Sequence, residues 1–345
     1  MIKINPDCPF IPDIPERRGM NSEELNAAVA YAEKAGGSGC IIRHGRMVMS
    51  WGDQKQKYDL YSTTKSIGVT ALGLAIDDGK VKLSDRMVDH LPNGGIPPEE
   101  NAATGWLDEI TLFHLATHTA GFEKTRGWCA LQFRPGTGWL YSDGGANWLA
   151  DCLTKVYGMD LLTLMTERVF QPLGITVGHE RSGSEDLWWG FNRLDRGPLL
   201  DGINRRPMGA GIFANVEAMA RIGYLYLRSG NYAGRQIVSP DFVSLVGKPA
   251  AGISELPVRG DNSHRFEKAS QHYGLLWWNN GDGAITDVPK DAYWSWGLKE
   301  SLIVVVPSLD LVVARAGEKG WQSDDWGSIY EVLSPFLAPI CRSCR

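Results

Sequence analysis

Two apolar hairpins at opposite ends of this 345-residue chain constrain its fold more than anything between them. Near the N-terminus, "SGCIIRHGRMVMSWG" places two short apolar runs about the turn "HGR"; near the C-terminus, "SLIVVVPSLDLVVARAG" places two more about "PSLD". Both patterns read as antiparallel hairpins. If they pair, one sheet is built from both ends of the chain, with "YGLLWWNN" and "AYWSWG" as further strands, and what lies between is an insertion. That insertion reads as helices broken by Gly and Pro turns ("TLFHLATHTAG", "GANWLADCLTKVYG", "LLTLMTERVFQPLG"), with no competing strand pattern. The expected fold class is therefore α+β. Residues 1–80 and 201–345 form the sheet domain, residues 81–200 a mainly helical domain, and an active site would lie in the cleft between them.

Helices flank the predicted sheet. In "NSEELNAAVAYAEKAGG", Asn21 is the N-cap, Glu24 follows three residues on, and Gly36 and Gly37 end the helix. "GIFANVEAMARIGYLYLRSGNY" has its small and apolar residues at helical spacing, "GRQIVSPDFVSLV" reads as a turn and helix, and "WGSIYEVLSPFLAPI" closes the chain.

Composition narrows the function. A 43% hydrophobic, 22% charged chain is ordinary for a globular protein, and a net charge of −5 offers no attraction to nucleic acid or an anionic membrane. The opening "MIKINPDCPFIPDIPERRG" breaks any apolar leader with prolines and charges, and no run of about 18 apolar residues occurs. A soluble, cytoplasmic enzyme without a cofactor, acting on a small molecule, is expected. Cys8, Cys40, Cys129 and Cys152 are scattered and read as small buried or idle thiols. Cys341 and Cys344 in "CRSCR" have the spacing of half a zinc site with no second pair to complete it, so a frayed tail is expected there.

The chemistry is concentrated in "YSTTKS", which opens the apolar run from Ile67 to Ile76. A helix starting at Ser usually carries Glu or Gln three residues later, where an acid suits the positive end of the helix dipole. Here Lys65 stands three residues after Ser62. The dipole and partial burial disfavour its charge, so its pKa should fall and Lys65 can serve as a general base for a Ser62 nucleophile on the same helix face. The N–H of Ser62 would help hold an oxyanion. In "FRPGTGWLYSDGG", Tyr141 stands at a turn opening the next helix, as a proton relay or as a packed core aromatic.

As a set, "YSTTKS", "TLFHLATHTAGF", "FRPGTGWLYSDGG", "MGAGIFANVEAMARIGYLYLRSGNYAGRQIVSPDF" and "SLIVVVPSLDLVVARAG" resemble the serine β-lactamase and penicillin-binding-protein superfamily over about residues 20–340. The likeness is greatest to the class C branch, which includes family VIII carboxylesterases, D-aminopeptidases and 6-aminohexanoate-dimer hydrolases. The resemblance implies a β-lactamase/transpeptidase-like fold and an acyl-enzyme mechanism with Ser62 as nucleophile, Lys65 as base and Tyr141 as proton relay. Two positions depart from the family pattern. The second motif, usually YxN, has Asp143; the third, KTG or HxG, is replaced by Ser295, Trp296 and Gly297. The cation that pairs with a penicillin or peptide carboxylate is thereby removed. Gly297 still permits close backbone approach, and the N–H of Leu298 is the candidate second oxyanion donor. A carboxylesterase for a small neutral acyl ester is expected, ahead of an amidase or D-aminopeptidase, a DD-peptidase, a β-lactamase, or an acyl-binding sensor impaired in turnover.

Three other features carry less. His114 and His118 have helical spacing but no nearby carboxylate to complete a metal site. Of the thirteen tryptophans, most are expected in the core or cleft wall, with Trp296 placed by its motif. Arg205 and Arg206, before "PMGAG", are expected in a solvated loop, with a substrate carboxylate as the alternative.

Overall fold

A computed structural model describes residues 10–125, 127–191, 196–260, 263–321 and 329–344; Cys8 and the rest of the first nine residues lie outside them. The two ends of the chain do form one antiparallel sheet. Its strands are β1 (Ser38–Arg43), β2 (Arg46–Trp51), β3 (Trp278–Asn279), β4 (Tyr293–Trp294), β5 (Leu302–Val306) and β6 (Leu311–Ala316), in the order β3-β4-β5-β6-β1-β2. The junction between the ends is the β1–β6 pair, with Cys40 opposite Ala314 and Ile42 opposite Val312. Every residue of β1, β5 and β6 is buried, because helices cover both faces.

One face takes α1 (Ser22–Glu33), which packs against the terminal helix Ile329–Ser343. Asn21 caps α1 by accepting from the N–H groups of Glu23 and Glu24, as expected. The helix Val216–Leu227 packs on β5 and β6; its Gly223 has no room for a side chain, since a Cβ would meet Val312 and Ile303 at 2.7 and 2.8 Å.

Three expectations need correction. The segment "GIFA" is a strand, Ile212–Ala214, paired with Tyr58–Asp59 on one side and Leu187–Trp189 on the other; the helix begins only after the Asn215 cap. The helical stretch accordingly contains short strands at Leu187–Trp189 and Leu199–Leu200. The tail is not frayed: Cys341 is buried within the terminal helix, Cys344 bridges to Met20, and the carbonyl of Ser343 accepts from the N–H of Asn21. Burial pushes the Cys341 thiol up to about 12. Among the described residues no helix is long and apolar enough to cross a membrane.

Candidate active site

The helix Thr63–Gly68, which follows Ser62, is buried at all six positions, and almost every polar side chain at its start has a partner. Thr63 Oγ1 donates to Ser295 Oγ at 3.0 Å and to the Ser301 carbonyl at 2.6 Å. Thr64 Oγ1 accepts from the N–H of Ile212 at 3.1 Å, and Ser66 Oγ donates to the Leu276 carbonyl at 2.6 Å. These bonds tie the helix start to the strand Ile212–Ala214 and to the β4–β5 region. Ser62 sits at the N-cap in right-handed helical conformation and makes no capping bond with its side chain. Its half-buried hydroxyl is thereby left for chemistry, and Tyr61 before it is held at a φ of 46°, a conformation that costs a non-glycine residue about 1–2 kcal/mol.

Lys65 is 1% exposed and has its amine in the middle of this arrangement. Nζ donates to Ser62 Oγ at 3.2 Å, to the carbonyl of Gly209 at 2.7 Å, and to Asp143 Oδ1 in a short ion pair. Gly209 is itself held by its N–H, which donates to Asn147 Oδ1 at 2.8 Å. Asp143 opens the helix Asp143–Tyr157 behind a Ser142 cap, and its other oxygen faces Lys124 Nζ at 3.4 Å. The cation in the first turn is therefore offset by a carboxylate 78 residues away.

Tyr141, two residues before Asp143, is buried with its phenol interacting with the Ser62 side chain, and Lys65 Nζ stands 4.7 Å from its ring centroid. Burial, and then the charge of Asp143, push its phenol well above the ordinary tyrosine range, so it is a neutral proton donor. As the packed-aromatic reading expects, its ring stacks on Phe266 at 5.3 Å and lies near-parallel to Trp278 at 6.1 Å. A pocket opens beside it, walled by Leu140, Lys124, Arg259 and Phe266.

The replaced third motif lies against the segment that carries Ser62. Ser295 is fully buried and its hydroxyl accepts from Thr63 and from the N–H of Ile303. Trp296 is 8% exposed and packs edge-on against Trp278 at 6.1 Å. Gly297 lies so close to the carbonyl of Leu60, two residues before Ser62, that a Cβ could not be accommodated. Leu298 follows, 48% exposed, at the start of a turn held from below by buried Arg315, which donates to the carbonyls of Lys299 and Glu300.

The two histidines have structural partners. His114 Nδ1 accepts from the N–H of Thr111 in a capping box, while buried His118 accepts from the N–H of Ser142 and packs on the Tyr141 ring at 4.5 Å. Burial, reinforced by the Lys65 charge, holds His118 well below the ordinary histidine range. Arg205 and Arg206 are not in a solvated loop, nor aimed at a substrate: Arg206 pairs with Asp160 through two bonds of 2.8 and 2.7 Å, and Arg205 approaches Asp151 at 3.4 Å. Sequence reasoning missed Lys124, Asn147, Gly209 and Arg315. Of these only Asn147 carried a signal, standing one helical turn after Asp143.

A family model described as beta-lactamase matches residues 25–316. The chain belongs to the beta-lactamase family. Within it, the chain is 29% identical to the lovastatin esterase of Penicillium rubens over 203 residues, 46% of this chain and 49% of that protein, so it spans about half of that relative's length. Among solved structures, a putative 6-aminohexanoate-dimer hydrolase from Bacillus anthracis superposes with a TM-score of 0.71 at 14% identity, covering 99% of this chain and 89% of the other. A family VIII carboxylesterase gives 0.66 at 16% identity, covering 96% and 98%. At these identities the superpositions establish the beta-lactamase/transpeptidase-like fold. Homologues with this fold are serine hydrolases, and hydrolases of this family act on small molecules.

Proposed function

We propose that this protein is a carboxylesterase that works through an acyl-enzyme on Ser62. The observation that carries the reading is the Lys65 amine 3.2 Å from the Ser62 oxygen, with buried Tyr141 set against both side chains. Lys65 accepts the Ser62 proton as Oγ bonds to the ester carbonyl carbon. The N–H groups of Ser62 and Leu298 hold the oxyanion. Collapse breaks the bond to the alcohol oxygen, which takes a proton from Tyr141; Lys65 returns one to Tyr141. Water then reverses the sequence, so that ester and water become acid and alcohol. On this reading residues 1–80 and 201–345 form the sheet domain, residues 81–200 the helical one, and the site occupies the cleft between them.

The preference for a neutral acyl group rests on the third motif. Ser295 has its hydroxyl engaged inside the protein and Trp296 adds apolar surface, so neither supplies a cation for a penicillin or peptide carboxylate. The names of the lovastatin esterase and the carboxylesterase agree with an ester; that of the 6-aminohexanoate-dimer hydrolase keeps a small amide as the next substrate to test.

The Asp143–Lys65 pair favours one second reading, a sensor that is acylated once and stays acylated, because a carboxylate against the lysine stabilises its ammonium. Steady turnover of p-nitrophenyl butyrate, abolished in Ser62→Ala together with fluorophosphonate labelling, supports the esterase. A single stoichiometric burst supports the sensor, and equal activity in wild type and Ser62→Ala removes both.

A further inference from the structure

Asp143 stands where an uncharged amide would leave Lys65 free to lose its proton, and the structure places a second lysine on the same carboxylate. Lys65 takes Oδ1 and Lys124 takes Oδ2, at 3.4 Å. The two lysines differ in their surroundings: the Lys65 side chain is 1% exposed, that of Lys124 51%. We infer that Lys124 is a positioning residue for the reaction, supplying the permanent positive charge that balances Asp143 so that Lys65 can act as a neutral base.

The argument is one of charge count in a buried place. With Lys65 and Asp143 alone, the neutral state of the pair is ammonium with carboxylate, and deprotonating Lys65 would leave an uncompensated buried anion, which is strongly disfavoured. With Lys124 present the cluster is neutral when Lys65 is the free amine and carries a net positive charge when Lys65 is protonated. Burial disfavours the charged form far more at Lys65 than at half-exposed Lys124.

The remaining ionisable groups around the cluster do not reverse this count. His118 is buried and neutral, packed on the ring of Tyr141, and Tyr141 and Tyr273 are buried phenols pushed above their ordinary range. Glu123 and Arg259 share the pocket wall with Lys124 and oppose one another in sign. Glu123 already accepts the N–H of Ala130 at 3.1 Å. Lys124 Nζ also stands 5.4 Å from the Tyr141 ring centroid, so both lysines flank the proton donor.

This inference rests on the esterase reading for its consequences and on the titration of Lys65 for its proof. The test compares wild type, Lys124→Gln, Lys124→Arg and Asp143→Asn. NMR of protein carrying 15N at lysine Nζ follows the Lys65 titration, and pH profiles of kcat/KM on p-nitrophenyl butyrate follow its effect. Lys124→Gln should move the Lys65 midpoint and the acidic limb of the profile up by about one pH unit, a roughly tenfold loss at pH 7. Asp143→Asn should move the Lys65 midpoint the other way, down, because the carboxylate that stabilises the ammonium is gone, and Lys124→Arg should restore the wild-type profile. An unmoved Lys65 midpoint in Lys124→Gln overturns the inference, as does a Lys124→Arg profile as shifted as that of Lys124→Gln. Full activity in Ser62→Ala would instead overturn the esterase reading, leaving the Lys65 titration to decide this one.

Discussion

Replacing Gly297 by alanine tests the oxyanion site at its tightest point. The backbone of Gly297 is ordinary and extended, with φ −101° and ψ 156°, so alanine brings no conformational strain and its whole effect is steric. The new methyl would fall inside the closest approach real Cβ atoms make to the Leu60 carbonyl oxygen, and 3.0 Å from Ser301 Cβ. The two segments must part by more than about 1 Å to restore normal contact. Neither can simply swing away: the N–H of Leu60 is bonded to the Ile212 carbonyl at 2.9 Å, and Thr63 is bonded to Ser295 and Ser301. A hydrogen bond from the Leu298 N–H to an oxyanion on the Ser62 acyl group, lengthened by that amount, ceases to be one. Loss of one such donor costs about 10²–10³ in kcat, or ~2.7–4 kcal/mol, and the overpacking should cost ~1–3 kcal/mol of stability. The assay is kcat and KM on p-nitrophenyl butyrate well below the melting temperature, with a thermal scan of each protein. The expected result is a large fall in kcat with KM little changed, the mark of an interaction made only in the transition state. A folded Gly297→Ala protein with wild-type kcat would refute the placement of the oxyanion donor at Leu298.

Four further outcomes are expected. Tyr141→Phe should lower kcat by about 10²–10⁴ while fluorophosphonate still labels Ser62, because the proton donor is lost and the nucleophile kept; an unchanged kcat would return Tyr141 to a packing role. Arg206→Met, which removes one member of a buried two-bond ion pair with Asp160, should cost ~3–5 kcal/mol in urea denaturation, with KM unchanged for esters that carry a carboxylate. Because His118 is held neutral well below 6.5 in the folded protein, its contribution to stability is complete above about pH 6.5 and is lost as pH falls, at up to ~1.4 kcal/mol per pH unit; urea midpoints at pH 7 and pH 5 should show the loss, and His118→Gln should flatten it. The Cys341 thiol, buried and pushed up to about 12, should resist thiol reagents at pH 8 until the protein is unfolded.

What could be read in the chain, and what could not, follows the reach of each signal. Ser62 and Lys65 are legible because one helical turn brings them together, and the hairpins because apolar runs of five or six residues about a turn have few other uses. "GIFA" was misread because helical spacing in the residues beyond it extended the pattern backwards across the Asn215 cap, although the three residues find their hydrogen bonds in Tyr58–Asp59 and Leu187–Trp189. Arg206 was misread for a different reason: its partner Asp160 is 46 residues away, and charge complementarity, unlike a strand's alternation, carries no register. The same limit hid Lys124. Asp143 was visible as a departure from the family's second motif, but nothing in the sequence said which of the chain's other lysines and arginines would stand against it. Only the fold, by ending "TAGFEK" beside the start of the helix Asp143–Tyr157, selects the one that faces the second carboxylate oxygen. On the esterase reading, the proton count of Lys65 therefore depends on Asp143 and Lys124 together and not on either residue alone.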